Sequence, residues 1–299
     1  MKILIAGGTG FVGSRLVSVL ENNGHDIFVL SRNPKKYSDL NTSKVKIIDW
    51  NEDNPNELHD IRIVIKLSGE NVGTLWTKTV KEKILDSRVN TTYQLKEFLL
   101  RNSIRPLKIL NASAIGYYGF LNEGKEVNEL SKAGSGFLAE VCQANEQACR
   151  SFESFQGVKI YQLRIGFILK KSFIQMIKPL LFLCFPVPGI NNAFFPWIHL
   201  DDVVGFIKYI VDEKAEEGNY NLISPQFCTH YKFYQTIKSP KNPNNKWVFF
   251  IPKFIQNIVG DMKELVLYGP KTIPSNTLLS GYQFKFEDLR ETIEDLMKK

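Results

Sequence analysis

The sequence predicts an α/β fold, a doubly wound and mostly parallel sheet followed by a smaller carboxyl-terminal α/β lobe. Three observations predict it. Short apolar runs alternate with amphipathic stretches over about the first 165 residues, the order of a parallel sheet with helices on both faces. The first apolar run ends in a glycine turn that opens a helix. Beyond that region the alternation fades into shorter, mixed elements.

Lys2–Ala6 is a short apolar run that ends in Gly7-Gly8-Thr9-Gly10-Phe11-Val12-Gly13. Leu16, Val17, Val19 and Leu20 then give one helical apolar face up to Gly24. Asp26–Leu30 and Val45–Ile48 read as the next strands, and residues 51–59 as a polar connection rich in turn formers. Ile61–Leu67 lacks polar alternation, as expected of a strand covered on both faces. From Lys78 to Arg101 the apolar residues recur at helical spacing. Leu107–Ala112 returns to strand, Ser135–Phe155 to helix and Lys159–Ile165 to strand. After these come a helix over Asp201–Val211, strand-like Tyr220–Ile223 and Trp247–Phe250, a helix over Lys253–Leu267, and a closing amphipathic helix over Glu287–Met297.

Composition narrows the class. With 43% hydrophobic and 23% charged residues among 299, the chain fits neither a disordered protein nor a disulfide scaffold. Cys142, Cys149, Cys184 and Cys228 show no CxxC spacing and read as reduced core thiols. The amino-terminal apolar run is cut by glycines where a signal peptide would continue, so a cytoplasmic location is expected. Leu180–Ile190 contains Pro186, Pro188 and Gly189 and is too short to cross a bilayer, which makes it a buried or lid-like segment. The net charge of +7 is spread diffusely, with no nucleic-acid-binding motif. Neither a membrane nor a nucleic acid is an expected partner. His25, His59, His199 and His230 have no metal-ligand spacing, and no metal is expected.

Gly7, Gly10 and Gly13 lie three apart, a spacing in which the first makes a tight turn, the second admits a pyrophosphate and the third lets helix and strand approach. Thr9, Phe11 and Val12 complete the turn, and the free amides of the helix start face phosphate groups. The end of the second strand decides between cofactors. An acid about 20 residues beyond the glycines would bind the adenosine ribose and repel an added phosphate. Here stand Ser31 and Arg32, with Lys35 and Lys36 following, which predicts NADP(H) rather than NAD(H). Asp49 and Trp50 either flank the adenine or cap the sheet edge. Leu67, Ser68, Gly69 and Glu70 follow the fourth strand, and the glycine lets main chain pass close to the pyrophosphate or the nicotinamide ribose.

Eight segments carry a family resemblance: GGTGFVG at 7–13, LSGENV at 67–72, Trp76 with DSRVNTT at 86–92, ASAIGYYG at 112–119, FLAEVCQANEQA at 137–148, LRIGFIL at 163–169, WIHLDDVV at 197–204 and YQFKFEDLRETIEDL at 282–296. Together they resemble the extended short-chain dehydrogenase/reductase family, within it the epimerase-like subgroup labelled sugar-nucleotide epimerase. The resemblance implies a Rossmann-type lobe with NADP(H), and Glu70, Arg88, Ser113 and Tyr117 around a central cleft. We therefore expect residues 1–165, with 201–223 contributing, to form the NADP(H)-binding domain and 166–299 to form mainly the substrate-binding lobe.

The wider superfamily uses a tyrosine and, four residues on, a lysine on one helix face. This chain has Phe137 and Val141 there, neither able to transfer a proton. Ser113 remains a candidate hydroxyl, with Ala114 competing for that position, and Tyr117 a candidate proton donor or substrate contact, core packing being its alternative. Trp197 and His199 are candidate substrate contacts, His199 alternatively a packing histidine, and Asp201 is the expected N-cap of the following helix. If Phe182, Phe185, Phe194 and Phe195 line the cleft, a small or partly apolar substrate follows; if they pack the lobe, nothing does. The favoured function is an NADP(H)-dependent oxidoreductase of a small carbonyl or hydroxyl compound. Its alternatives are an epimerase that retains its cofactor and a non-enzymatic NADP(H)-responsive binding protein. The helices over 78–101 and 135–155 are the candidates for a homodimer contact.

Overall fold

A computed structural model describes residues 1–119, 125–183, 186–187, 193–238, 248–252, 264 and 269–298. In chain order the elements begin β1 (Lys2–Ala6), α1 (Phe11–Asn22), β2 (Asp26–Ser31), β3 (Val45–Asp49), α2 (Pro55–Leu58), β4 (Ile61–Lys66), α3 (Lys78–Arg101) and β5 (Lys108–Ala114). They continue with β6 (Glu126–Val127), α4 (Phe137–Cys149), β7 (Lys159–Ile165), β8 (Phe167–Ile168), α5 (Lys171–Phe182), β9 (Trp197–Ile198) and α6 (Leu200–Val211). The last are β10 (Gly218–Leu222), α7 (His230–Lys238), β11 (Lys271–Thr272), α8 (Ser275–Leu279) and α9 (Leu289–Lys298).

Seven strands form one sheet in the order β3-β2-β1-β4-β5-β7-β10. The β1–β2, β2–β3, β1–β4 and β4–β5 pairs are parallel. Strand order reverses between β1 and β4, the switch point at which a doubly wound sheet opens a crevice at its carboxyl edge. Ile3, Leu4, Ile5 and Ala6 of β1 are all buried, which is why this strand reads as an unbroken apolar run.

The chain divides into two compact units. The first comprises Met1–Ser113, Val141–Leu163 and Val204–Asn219; the second comprises Ala114–Glu140, Arg164–Val203 and Tyr220–Lys299. In the first, Leu4, Val64, Leu95, Phe98, Ile109 and Phe152 belong to one buried cluster. In the second, Leu169, Ile174, Trp197, Phe233 and Leu289 do the same, with Phe195 against Phe233 at 4.1 Å between ring centroids.

The predicted strands and helices of the first 165 residues are all present, and the connection over 51–59 additionally holds α2. Three helices among the described residues of the second unit, α5, α7 and α8, are not marked by the sequence pattern. Among the further expectations, Trp247, Phe185, Pro188, Gly189, Cys184 and most of the helix over 253–267 lie outside the described residues. The remaining cysteines, Cys142, Cys149 and Cys228, are buried free thiols.

One expectation is corrected. α6 already begins at Leu200, so Asp201 lies inside the helix rather than before it. His199 provides the cap: its Nδ1 accepts the Asp201 N–H at 3.0 Å, which places the ring proton on Nε2, 3.6 Å from Asp295 Oδ2. Asp202, completely buried, accepts the Lys285 and Phe286 N–H groups at 2.6 and 3.0 Å and so ties the chain entering α9 to the start of α6.

Candidate functional site

The carboxyl ends of β1, β2 and β4 and one face of α3 enclose a groove of about 750 Å³, lined entirely by residues of the first unit. Its floor depends on two glycines. Gly7 has φ +92°, and a Cβ there would stand 2.7 Å from the Ser68 nitrogen; a Cβ on Gly13 would stand 2.2 Å from the Gly7 carbonyl oxygen. Backbone therefore passes backbone with no room for a side chain, leaving the groove open above it. Gly10 is the N-cap of α1 and, having no side chain, gives the helix start no side-chain cap hydrogen bond. The buried Ser68 hydroxyl has no hydrogen-bond partner among the described residues and stands in the groove wall. An unpartnered hydroxyl beside a glycine cradle and a helix start fits a dinucleotide pyrophosphate.

At the β2 end, Ser31, Arg32 and Lys36 line the groove. The Ser31 Oγ accepts the Asn33 N–H at 3.1 Å and Asn33 Oδ1 accepts the Lys36 N–H at 3.3 Å, which folds the chain so that both cations face one space. Trp50 lines the groove and also packs against the core, its ring 6.4 Å from Phe98 edge-on.

The loop after β4 is fastened to α3. Ser87 Oγ accepts the Glu70 N–H at 2.9 Å, and Arg88 donates to the Glu70 and Ile84 carbonyl oxygens at 3.3 and 2.9 Å. Arg88 lies behind Gly69, where a Cβ would be 3.1 Å from the guanidinium carbon, and burial lowers its pKa. Thr9, Ser68, Gly69 and Glu70 line the groove, whereas Phe11, Val12, Leu67 and Arg88 do not.

Sequence reasoning missed the second bank. Ser87, Thr91, Gln94, Glu97 and Arg101 of α3 line the groove at helical spacing, and Arg101 also donates to the Trp50 carbonyl oxygen at 2.7 Å. Their polar stripe was the available signal; only the apolar face of that helix had been traced.

The profile of the NAD dependent epimerase/dehydratase family matches residues 3–166. The chain belongs to this family. A second profile, a domain of unknown function designated DUF1731, matches residues 250–296. Relatives include the epimerase family protein YfhF of Bacillus subtilis, 28% identical over 99% of this chain and 98% of that protein. An epimerase family protein of Staphylococcus saprophyticus is 31% identical over 98% of each. Among solved structures, the human epimerase family protein SDR39U1 (isoform 2) with NADPH superimposes with a TM-score of 0.79 at 23% identity, covering all of both chains. MoeE5 with UDP-glucose and NAD gives 0.75 at 18% identity, over 100% of this chain and 98% of that one.

The family is one of nicotinamide-dinucleotide enzymes, and the groove has the donors, cradle and cations that such a cofactor requires. The residues considered for chemistry are placed as follows. In the first unit, Ser113 at the end of β5 donates to Glu146 Oε1 on α4 at 2.7 Å. Val141 is buried in α4. In the second unit, Phe137 opens α4 with its N–H, 3.2 Å from the Glu264 carboxylate. Tyr117 is half-buried, its ring 3.5 Å beneath the Arg164 guanidinium. Its neighbour Tyr118 is fully buried, donates to Asn221 Oδ1 at 2.8 Å and accepts from Arg164 at 3.0 Å; burial pushes its phenol up to about 12. Trp197 and His199 are buried in the second unit. Phe194 pairs edge-on with the exposed Phe227, and Phe182 is exposed. No helix among the described residues is long and apolar enough to cross a membrane.

Proposed function

We propose that the first unit holds NADP(H), and that the protein is an epimerase which retains this cofactor while acting on a hydroxyl-bearing small molecule of the sugar-nucleotide class taken by the second unit. The cationic corner made by Arg32 and Lys36 carries the cofactor reading. Two side-chain cations stand at the end of β2, where an acid would favour an unphosphorylated ribose. Family membership, and the UDP-sugar complexes among proteins of the same fold, support the reaction class.

When bound, the oxidised dinucleotide would supply a temporary acceptor for a hydride taken from a substrate carbon and given back to it. Tyr117 exchanges the proton of the reacting oxygen, its ring held flat under Arg164.

Loading the purified protein with NADP+ and supplying UDP-sugars tests this reading. An inverted product by NMR, with no net change in nicotinamide absorbance, is expected. Steady NADPH consumption with a small carbonyl compound would establish net reduction instead. That second reading draws on the aromatic pair of half-buried Phe194 and exposed Phe227.

A further inference from the structure

Behind the loop Leu67–Glu70 the first unit holds two cations, one buried and one half-buried. Lys66, the last residue of β4, is 1% exposed, and its Nζ donates to Asn111 Oδ1 at 3.2 Å and Asn145 Oδ1 at 2.8 Å. Those amides are fixed in turn: Asn111 donates to Gln162 Oε1 at 2.7 Å and Asn145 to the Ala112 carbonyl oxygen at 3.0 Å. Arg88, on the other side of the loop, rests on two carbonyl oxygens. Among the described residues no ion pair joins Lys66 to a carboxylate, whereas Arg88 has the Glu70 carboxylate near enough to favour its charge. A buried cation held only by neutral oxygens is rare, because dipoles offset only part of the lost hydration.

The groove supplies the missing sign. Lys66 is in register with Ala6, so the next residues on each strand lead directly to Gly7 and Ser68, where the two backbones cross under the groove. At that end the one charged lining residue is Glu70, whereas the lining cations Arg32, Lys36 and Arg101 belong to the end of β2 and the last turn of α3. A dinucleotide pyrophosphate lying over the glycine turn would find helix amides but no lining cation.

We propose that the buried Lys66 and the half-buried Arg88 are the counter-charges of that pyrophosphate, acting through the loop Leu67–Glu70, and that Lys66 takes up a proton from solvent when the dianion binds. The inference rests on the reading that the groove holds a phosphorylated dinucleotide. Burial holds the Lys66 ammonium down to about 8. The titratable groups facing it are Arg88 of α3, which opposes its charge, and Cys149 of α4, whose thiol burial pushes up to about 12 and keeps neutral. Asn111 of β5, Asn145 of α4 and Gln162 of β7 carry no charge. An arriving dianion favours the ammonium, so the bound state has the higher pKa. Affinity is then greatest below the free-state pKa and falls as pH rises through it.

Calorimetric titration of the full chain with NADPH at about pH 8, in two buffers of different ionisation enthalpy, measures the proton directly. We expect uptake of about half a proton by the wild-type protein, and a fall in affinity of about tenfold between pH 7 and pH 9.5. Lys66→Met should abolish the uptake, flatten the pH profile and weaken NADPH about tenfold at neutral pH. Binding without uptake in the wild type overturns the proposal, and needs no variant to fold. Unchanged uptake in Lys66→Met overturns it as well. If NADPH and NADH both fail to bind the wild type, the cofactor reading itself falls.

Discussion

The two units hold their sequestered ions against different partners. In the first, Lys66 and Arg88 rest on neutral amide and carbonyl oxygens. In the second, Asp202 and Glu129 are gripped by backbone N–H groups, Asp202 by Lys285 and Phe286 and Glu129 by Asn221. The second unit also buries Arg164, but gives it a tyrosine face and a phenol oxygen. Ions in the second unit thus close internal connections, whereas those in the first lie behind an open groove. Substitutions in the second should lower stability and leave dinucleotide affinity alone, and those around the groove should do the reverse.

The largest effect is expected from Asp202→Ala. It strands two buried N–H donors and releases the segment entering α9, at about 3 to 5 kcal/mol. Thermal unfolding should shift down by about 10 °C, with the NADPH dissociation constant of the folded protein unchanged. Weakened NADPH binding in that variant would break the division between the units.

Acidification should come next. Burial holds the pKa of His230 at about 4, below the ordinary value of 6.5, so the unfolded chain binds this proton first. Stability is full above pH 6.5 and falls as pH drops from 6.5 towards 4, by about 3 kcal/mol in total. Denaturant titrations across that range should show the slope, and His230→Leu should remove it.

Arg32→Ala should weaken NADPH by about 1.5 to 3 kcal/mol, the worth of a charged hydrogen bond, and barely alter NADH. Equal loss of both would mean that Arg32 shapes the groove rather than reading a phosphate. The smallest change is expected from Gln94→Ala on the exposed bank of the groove, below about 1 kcal/mol for either dinucleotide and within about 0.5 kcal/mol for stability.

How much of this the sequence disclosed follows from the range of the interactions. The β1, turn and α1 unit is local, and its glycines at fixed spacing point directly to a cradle. Arg32 and Lys36 sit one turn beyond a readable strand, so the cationic corner was legible too. The fastening of Glu70 to Ser87 and Arg88 spans 17 and 18 residues, and the amide nest around Lys66 spans 45 and 79. No periodicity records such contacts. In the second unit, α7 is only nine residues long and carries Tyr231, Phe233 and Tyr234, residues of modest helix propensity, so local preference does not mark it as a helix. His199 displaced Asp201 as the cap because a helix start can move by a residue or two without changing the pattern of apolar side chains.

The glycine at the head of α1 has a further consequence, for the lifetime of the protein. A helix whose first turn lacks a side-chain cap is completed by whatever anion settles there, and that anion binds the folded chain alone. At a hundred times its dissociation constant a ligand adds about 2.7 kcal/mol to the folded state. Increments of that size change how often a chain opens to proteases. Abundance of this protein should therefore follow the supply of its dinucleotide, falling when the nucleotide pool is depleted even if synthesis is constant.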